Sequence, residues 1–315
     1  GYDLCYSKDA EKFVTRKEAP MTPNRRKILL ADDGSQHAQS AVELLQNTPL
    51  PPNSRIFVLR AFSPGQIDYL TGFEKALQRT KMQLESQGFR VEADLKLGAA
   101  AELIMETAET RKPDLIVLGA KGLRATIGIL LGGVAQQVVE YACCPVLVVR
   151  APYQGLRRIL LVTDGSSYSQ RAARYLAQFP LPDNADVRVM HILPPARQPI
   201  MMEPYFGGWQ TNYGVLPSQE DETAFLNRQM KQGETLLART SGLLARHGLA
   251  STPVLLRGDA ATEIIDYVKA EKIDLIVAGS RGLSQFKSWW MGSVSRKLVH
   301  YSACSVLIVK GPRKE

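Results

Sequence analysis

Long apolar runs are missing from this sequence. No stretch approaches the roughly 18 apolar residues that span a bilayer, and the N-terminal segment has no apolar signal-peptide core, which predicts a cytoplasmic protein. Cysteine is scarce. Cys5, Cys143, Cys144 and Cys304 form no CxxC pair and have no histidine at metal-ligand spacing, and Cys144 and Cys304, each beginning a strand-like run, read as buried thiols. His37, His191, His247 and His300 show no paired spacing suited to zinc, and no metal site is expected. Runs of five like charges are also missing, although the net charge is +8 and the pI about 9.3. That balance suits an acidic partner such as a nucleotide, nucleic acid or a membrane surface, but the basic residues are scattered and single out none of them. Three chemical signatures are lacking too. The lack of GxxxxGK[ST] argues against a Walker-type NTPase. The first strand is not followed by GxGxxG, which removes the usual dinucleotide fingerprint, and no GxSxG elbow presents a nucleophile.

What is present is a globular composition, 45% hydrophobic and 22% charged, in a chain of 315 residues, long enough for two cores. Residues 1–24 are polar and without clear periodicity, and read as an arm or a leader. From Arg26 the text alternates: KILLADDGS, RIFVLRAF, VEADLKLG, DLIVLG and PVLVVR read as strands, with helical spacing in AQSAVELL, FEKALQRTKMQLESQG, AAELIMETAET and VAQQVVEYA between them. Such alternation predicts an α/β fold with a parallel sheet covered on both faces.

The same order then repeats. RRILLVTDGSS follows RKILLADDGSQ, with Asp164 on Asp33 at a shift of 131 (164 − 33). Gly258, Asp274, Gly279, Gly282, Gly292 and Cys304 fall on Gly98, Asp114, Gly119, Gly122, Gly132 and Cys144, each at a shift of 160. Constant spacing on either side of one change marks a tandem duplication. The domains are 25–151 and 157–311, and the second carries an insertion of 29 residues (160 − 131) at about 194–222. Its Pro, Gly and aromatic residues, Tyr205, Phe206, Trp209 and Tyr213 among them, read either as a lid or partner surface or as a loop packed on its own domain.

Ligands of open parallel sheets bind beyond the carboxyl ends of the strands. There, Asp33 and Asp164 end the first strands, and Gly119 and Gly279 end the fourth. Glycines bring main-chain N–H groups close to an anion, and Ser293, after Gly292, is well typed to cap a helix whose N-terminus favours phosphate. The run Gly279, Gly282, Gly292, Ser293, with Asp164 in TDGS, resembles the universal stress protein family in its tandem form, over residues 26 to 311. The resemblance implies two doubly wound five-stranded parallel sheets, joined through their fifth strands, and an ATP site. Asp164 would stand near the adenine or ribose, Gly279 and Gly282 would wrap ribose and phosphates, and Gly292, Ser293, Val294 and Ser295 would hold the phosphates. Arg281 and Lys287 would add charge or remain solvated, and Trp289 and Trp290 would pack on the fold or a dimer face.

In the first copy Asp33, Gly119, Gly122 and Gly132 are present and Lys121 stands for Arg281, but Gly133 replaces the hydroxyl residue. One side-chain bond and one cap are lost, which predicts a weaker or empty first site. The function so implied is an ATP-binding regulatory protein, with Mg2+ or another adenine nucleotide as further options. A protein partner would read the bound state, and the tandem chains would form a homodimer. A slow ATPase or adenylate-transferring enzyme is the alternative, without an evident catalytic base, and an empty interaction scaffold is a third.

Overall fold

The computed structural model describes residues 26–51, 53–122, 130–196, 219–282 and 291–311. Lys287, Trp289, Trp290 and the four insertion aromatics lie outside them. The first half runs β1 (Lys27–Ala31), α1 (Gln36–Asn47), β2 (Arg55–Phe62), α2 (Leu70–Glu85), β3 (Arg90–Leu97), α3 (Ala100–Arg111), β4 (Leu115–Gly119), α4 (Gly133–Tyr141) and β5 (Val146–Val149). The second repeats it as β6 (Arg158–Val162), α5 (Ser167–Ala177), β7 (Asp186–Leu193), α6 (Gln219–Ala245), β8 (Thr252–Arg257), α7 (Ala260–Ala270), β9 (Leu275–Gly279), α8 (Ser293–Tyr301) and β10 (Ser305–Val309). The last residues of the expected insertion, 194–222, are helical, because α6 begins at Gln219.

Strand alternation sorts the core. Ile28 and Leu30 point into one layer with Leu44 and Leu45 of α1, whereas Leu29 points into the other with Ile104 of α3 and Val138 of α4. Each such side chain, removed from water, contributes about 1.5–3 kcal/mol. Asp114 and Asp274, just before the fourth strand of each half, accept the N–H groups of Lys27 and Arg158 at 2.8 Å, which sets each first strand beside its fourth. The order is β3-β2-β1-β4-β5-β10-β9-β6-β7-β8, so the ten strands form one sheet. All pairings are parallel except β5 with β10, which run antiparallel with Leu147 opposite Leu307. Among the described residues only β3 and β8 remain as edges. Pro253 sits on β8, where a missing N–H can face outward, and β3 carries Glu92, Asp94 and Lys96, which discourage further pairing.

Two cations close the seam by exchange. Arg150, directly after β5, donates to Val299 O at 2.8 Å and His300 O at 3.3 Å, the last turn of α8. Lys310, directly after β10, donates to Val139 O and, at 3.0 Å, to Glu140 O at the end of α4. Each half thus satisfies carbonyls that the other half's helix leaves unpaired and places positive charge at its negative end. Arg150 also donates to Leu130 O at 2.6 Å, before the start of α4.

Burial, and then the nearby Arg281 charge, push the Lys310 ammonium down to about 8 from its ordinary 10.5. The folded pKa lies below the unfolded one, so the unfolded chain holds this proton more tightly between those values. Lys310 therefore adds stability as pH rises from about 8 to about 10.5, by at most about 1.4 kcal/mol per pH unit. Denaturant midpoints measured from pH 7 to 10.5 should show this rise in wild type relative to Lys310→Met, and the difference between the two should be flat below pH 7.

Candidate functional site

Each half places its candidate residues at the carboxyl ends of its first and fourth strands, which are neighbours: β1 with β4, β6 with β9. After β6 the chain turns through Gly165, whose φ of +82° is the left-handed region that glycine enters freely. Asp164 closes this turn by accepting Ser166 N–H at 3.0 Å, and Ser166 then caps α5 by accepting Ser169 N–H at 3.2 Å. The first half does the same with Asp33, Ser35 and Ala38, at 3.0 and 3.1 Å.

Opposite this turn lies the loop after β9. A Cβ on Gly282 would stand 2.7 Å from Asp164 Oδ2, and one on Gly122 would stand 2.5 Å from Asp33 Oδ2. Glycine at these positions is what lets the carboxylate lie against the loop. Gly279 and Gly119 serve a different end: a Cβ there would strike main-chain atoms of Tyr168 at 2.6 Å, or of His37 at 2.8 Å. They allow the first helix of each half to seat on the fourth strand.

Three sequence expectations change in detail. Ser293 is not the N-cap of α8. Gly292 is, in extended conformation with φ −62° and ψ 151°, and Ser293 is the first helical residue, exposed and making no cap bond. Gly132 caps α4 likewise, so Gly133 costs the first half no cap. The N–H of Gly292 is also spent, donating to Ser280 O at 2.9 Å, as that of Gly132 does to Ala120 O at 2.8 Å. What the helix start offers an anion is the N–H groups of Ser293, Val294 and Ser295, which have no carbonyl one turn back inside α8. The hydroxyl that separates the halves structurally is that of Ser295. It is buried and donates to Gly279 O at 2.7 Å, fastening α8 to the end of β9, and Ala135 takes its place in the first half.

Arg281 does not reach freely into the loop. Its guanidinium lies 5.6 Å from the Tyr168 ring centroid and donates to Tyr168 Oη at 3.4 Å, and Arg171 flanks the same ring at 5.9 Å. In the first half Lys121 is half-buried and His37 replaces Tyr168, its Nδ1 accepting Ala151 N–H at 2.9 Å. Burial, with Arg150 and Lys121 adding to it, pulls the His37 imidazole below its ordinary value.

A buried ion pair in the first half escaped the sequence reading. Arg60, on β2, meets Asp32 at 2.7 Å with both side chains no more than 5% exposed, and Thr80 of α2 donates to the same carboxylate oxygen at 2.8 Å. The other oxygen accepts Gly34 N–H at 2.9 Å. The second half has Thr163 and His191 here, with the imidazole Nδ1 2.9 Å from Thr163 O. The signal was available: an arginine inside the apolar run RIFVLRAF and a second acid in ADDGS have no bland partner in sequence. Among the described residues no cluster of His, Cys, Asp and Glu could hold a metal, and no helix is long and apolar enough to cross a membrane.

Asp32→Ala strands the Arg60 charge and should cost about 3–5 kcal/mol in chemical denaturation. The double change Asp32→Thr with Arg60→His installs the second half's pair and should cost markedly less than the single change.

A model of the Universal stress protein family matches residues 24–150 and again 155–310. A universal stress protein of Thermus aquaticus is 40% identical over 134 residues, 39% of this chain and 97% of that protein. One from Bacillus subtilis is 28% identical over 153 residues, 49% of this chain and 98% of its own length. A universal stress protein structure from Archaeoglobus fulgidus covers 93% of this chain and 99% of its own at TM-score 0.65 and 18% identity, a likeness of fold. With two matches that together span most of the sequence, the chain belongs to the universal stress protein family, as two copies in tandem.

Proposed function

We propose that the second half binds an adenine nucleotide, ATP in the first place, and that a protein partner reads the bound state. The observation that carries this reading is the contact between the Asp164 carboxylate and Gly282, directly before the open first turn of α8. A carboxylate accepts bonds from hydroxyls and repels phosphates, so Asp164 suits the ribose. The N–H groups of Ser293, Val294 and Ser295, at the positive end of α8, suit the phosphates. Gly292 contributes by closeness of backbone: a Cβ there would press on Arg281 Cα at 3.3 Å. Arg281 is a second positive charge at the mouth, and leaving Tyr168 would bring it to a phosphate. Mg2+ would enter with ATP, held by the phosphates.

The first half retains Asp33, Gly122 and Gly132 but lacks both hydroxyls, with Gly133 and Ala135 in their places. Its helix start is not fastened to β4 as α8 is to β9, and we read it as a scaffold that binds nucleotide weakly or not at all. A homodimer of tandem chains is part of the same proposal.

Titration calorimetry with ATP should give one site per chain. Ser295→Ala should weaken it by on the order of 1 kcal/mol, a factor of about five, through loss of one hydrogen bond that positions the helix. Gly282→Val should abolish binding while the chain stays folded, because the side chain meets the end of a carboxylate. Gly279→Val should instead lower the denaturation midpoint, because its Cβ meets main chain. Two equal sites in wild type, or none, would overturn the reading.

A further inference from the structure

The long helix α6 carries a face that the nucleotide reading leaves unused. Arg228, Lys231 and Arg239 fall on one side of it and line an open groove of about 840 Å3 against α5. All three are exposed, and none makes an ion pair with a described residue. Among the described residues no carboxylate lines the groove. Gln170 and Gln232 add amides, and Ala173, Leu236 and Leu243 give it an apolar floor.

The repeat accounts for one of these charges, since Arg239 falls on Arg79 at a shift of 160, and not for the other two. At the shift of 160, Arg228 and Lys231 fall on Asp68 and Thr71 of the first half. The helices are also held differently. In the first half Thr80 ties α2 to the β1 turn through Asp32, whereas its counterpart Thr240 donates to Leu236 O of its own helix at 2.9 Å.

Charge and length choose the occupant. Eleven residues separate Arg228 from Arg239, about 16 Å along a helix, too far for one phosphate and close to five residues of extended chain. Amides that both donate and accept suit a peptide backbone. Single-stranded nucleic acid would ask for aromatic platforms, and no described aromatic lines the groove. We propose that the α5–α6 groove of the second half docks an extended acidic segment of a partner protein. Carboxylates meet Arg228, Lys231 and Arg239, the backbone meets Gln170 and Gln232, and an apolar side chain rests on Ala173, Leu236 and Leu243. Gly165, which follows Asp164, also lines the groove, so the docked segment lies beside the nucleotide cleft. The docking itself stands whether or not that cleft is filled.

The test is fluorescence anisotropy with the full chain and a labelled twelve-residue peptide of Asp and Glu interspersed with Leu. The control is the same peptide with Asn and Gln for the acids, and a single-stranded RNA of equal length serves as a second probe. The acidic peptide should bind, weaken as salt rises, and lose about tenfold or more in affinity on R228E/K231E/R239E. The neutral peptide should not bind, and a matched reversal elsewhere, K75E/R90E/K96E, should leave affinity unchanged. Gly282→Val should retain peptide binding, which separates this proposal from the nucleotide reading. Circular dichroism checks that each variant is folded. No binding of the acidic peptide, equal loss in the two triple variants, or RNA binding more tightly than the peptide through the same three residues would each overturn the proposal.

Discussion

Where β5 meets β10, two halves that fold from the same pattern become one sheet, and the placement of both clefts depends on that contact. Each half would otherwise expose the edge of a strand that carries four consecutive apolar residues, a template for uncontrolled pairing. Antiparallel pairing of the two edges removes both at once and creates the approximate two-fold relation between halves. The exchange of Arg150 and Lys310 follows from it, because each strand delivers the residue after it to the end of a helix in the opposite half. Helices α4 and α8 therefore begin at their own clefts and end on a cation from their neighbour. The arrangement includes a part-buried ammonium, whose desolvation works against it at neutral pH.

The cleft is shaped by what glycine permits at two kinds of position. At Gly279 and Gly119 the neighbour is backbone, and a side chain would unseat a helix. At Gly282 and Gly122 the neighbour is the tip of an aspartate, and a side chain would displace a functional group from an otherwise intact frame. A shared glycine pattern thus combines a folding requirement with a binding requirement.

Duplication kept the frame and let the two halves diverge beneath and beside the clefts. Under the first turn the first half has a charged set, Asp32, Arg60 and Thr80, in which every carboxylate oxygen is used; the second has the neutral Thr163 and His191. At the helix start the second half has Ser295 bound to Gly279 O, and the first has Ala135. Beside the cleft the second half has a longer helix with a basic face. The half with the better-fastened cradle is also the half with the groove, which concentrates both proposed activities in one place.

Alternating strand and helix patterns, the shifts of 131 and 160, and the position of Asp and Gly at strand ends were legible from residues alone, because hydrophobic period and backbone freedom are local properties. From these followed the α/β class and the tandem repeat; that the first and fourth strands are neighbours, which brings Asp164 to the glycine loop, came from the folded chain. The pairing of fifth strands came from family resemblance, and the backbone supplied its register. Tertiary structure alone decided which groups are already engaged: the Gly292 N–H on Ser280 O, the Ser295 hydroxyl on Gly279 O, Arg281 on Tyr168, and Arg60 on Asp32. Hydrogen-bonding capacity is a property of residue type and can be read in sequence. Whether it is spent depends on partners far apart in the chain, and only the folded coordinates bring those together.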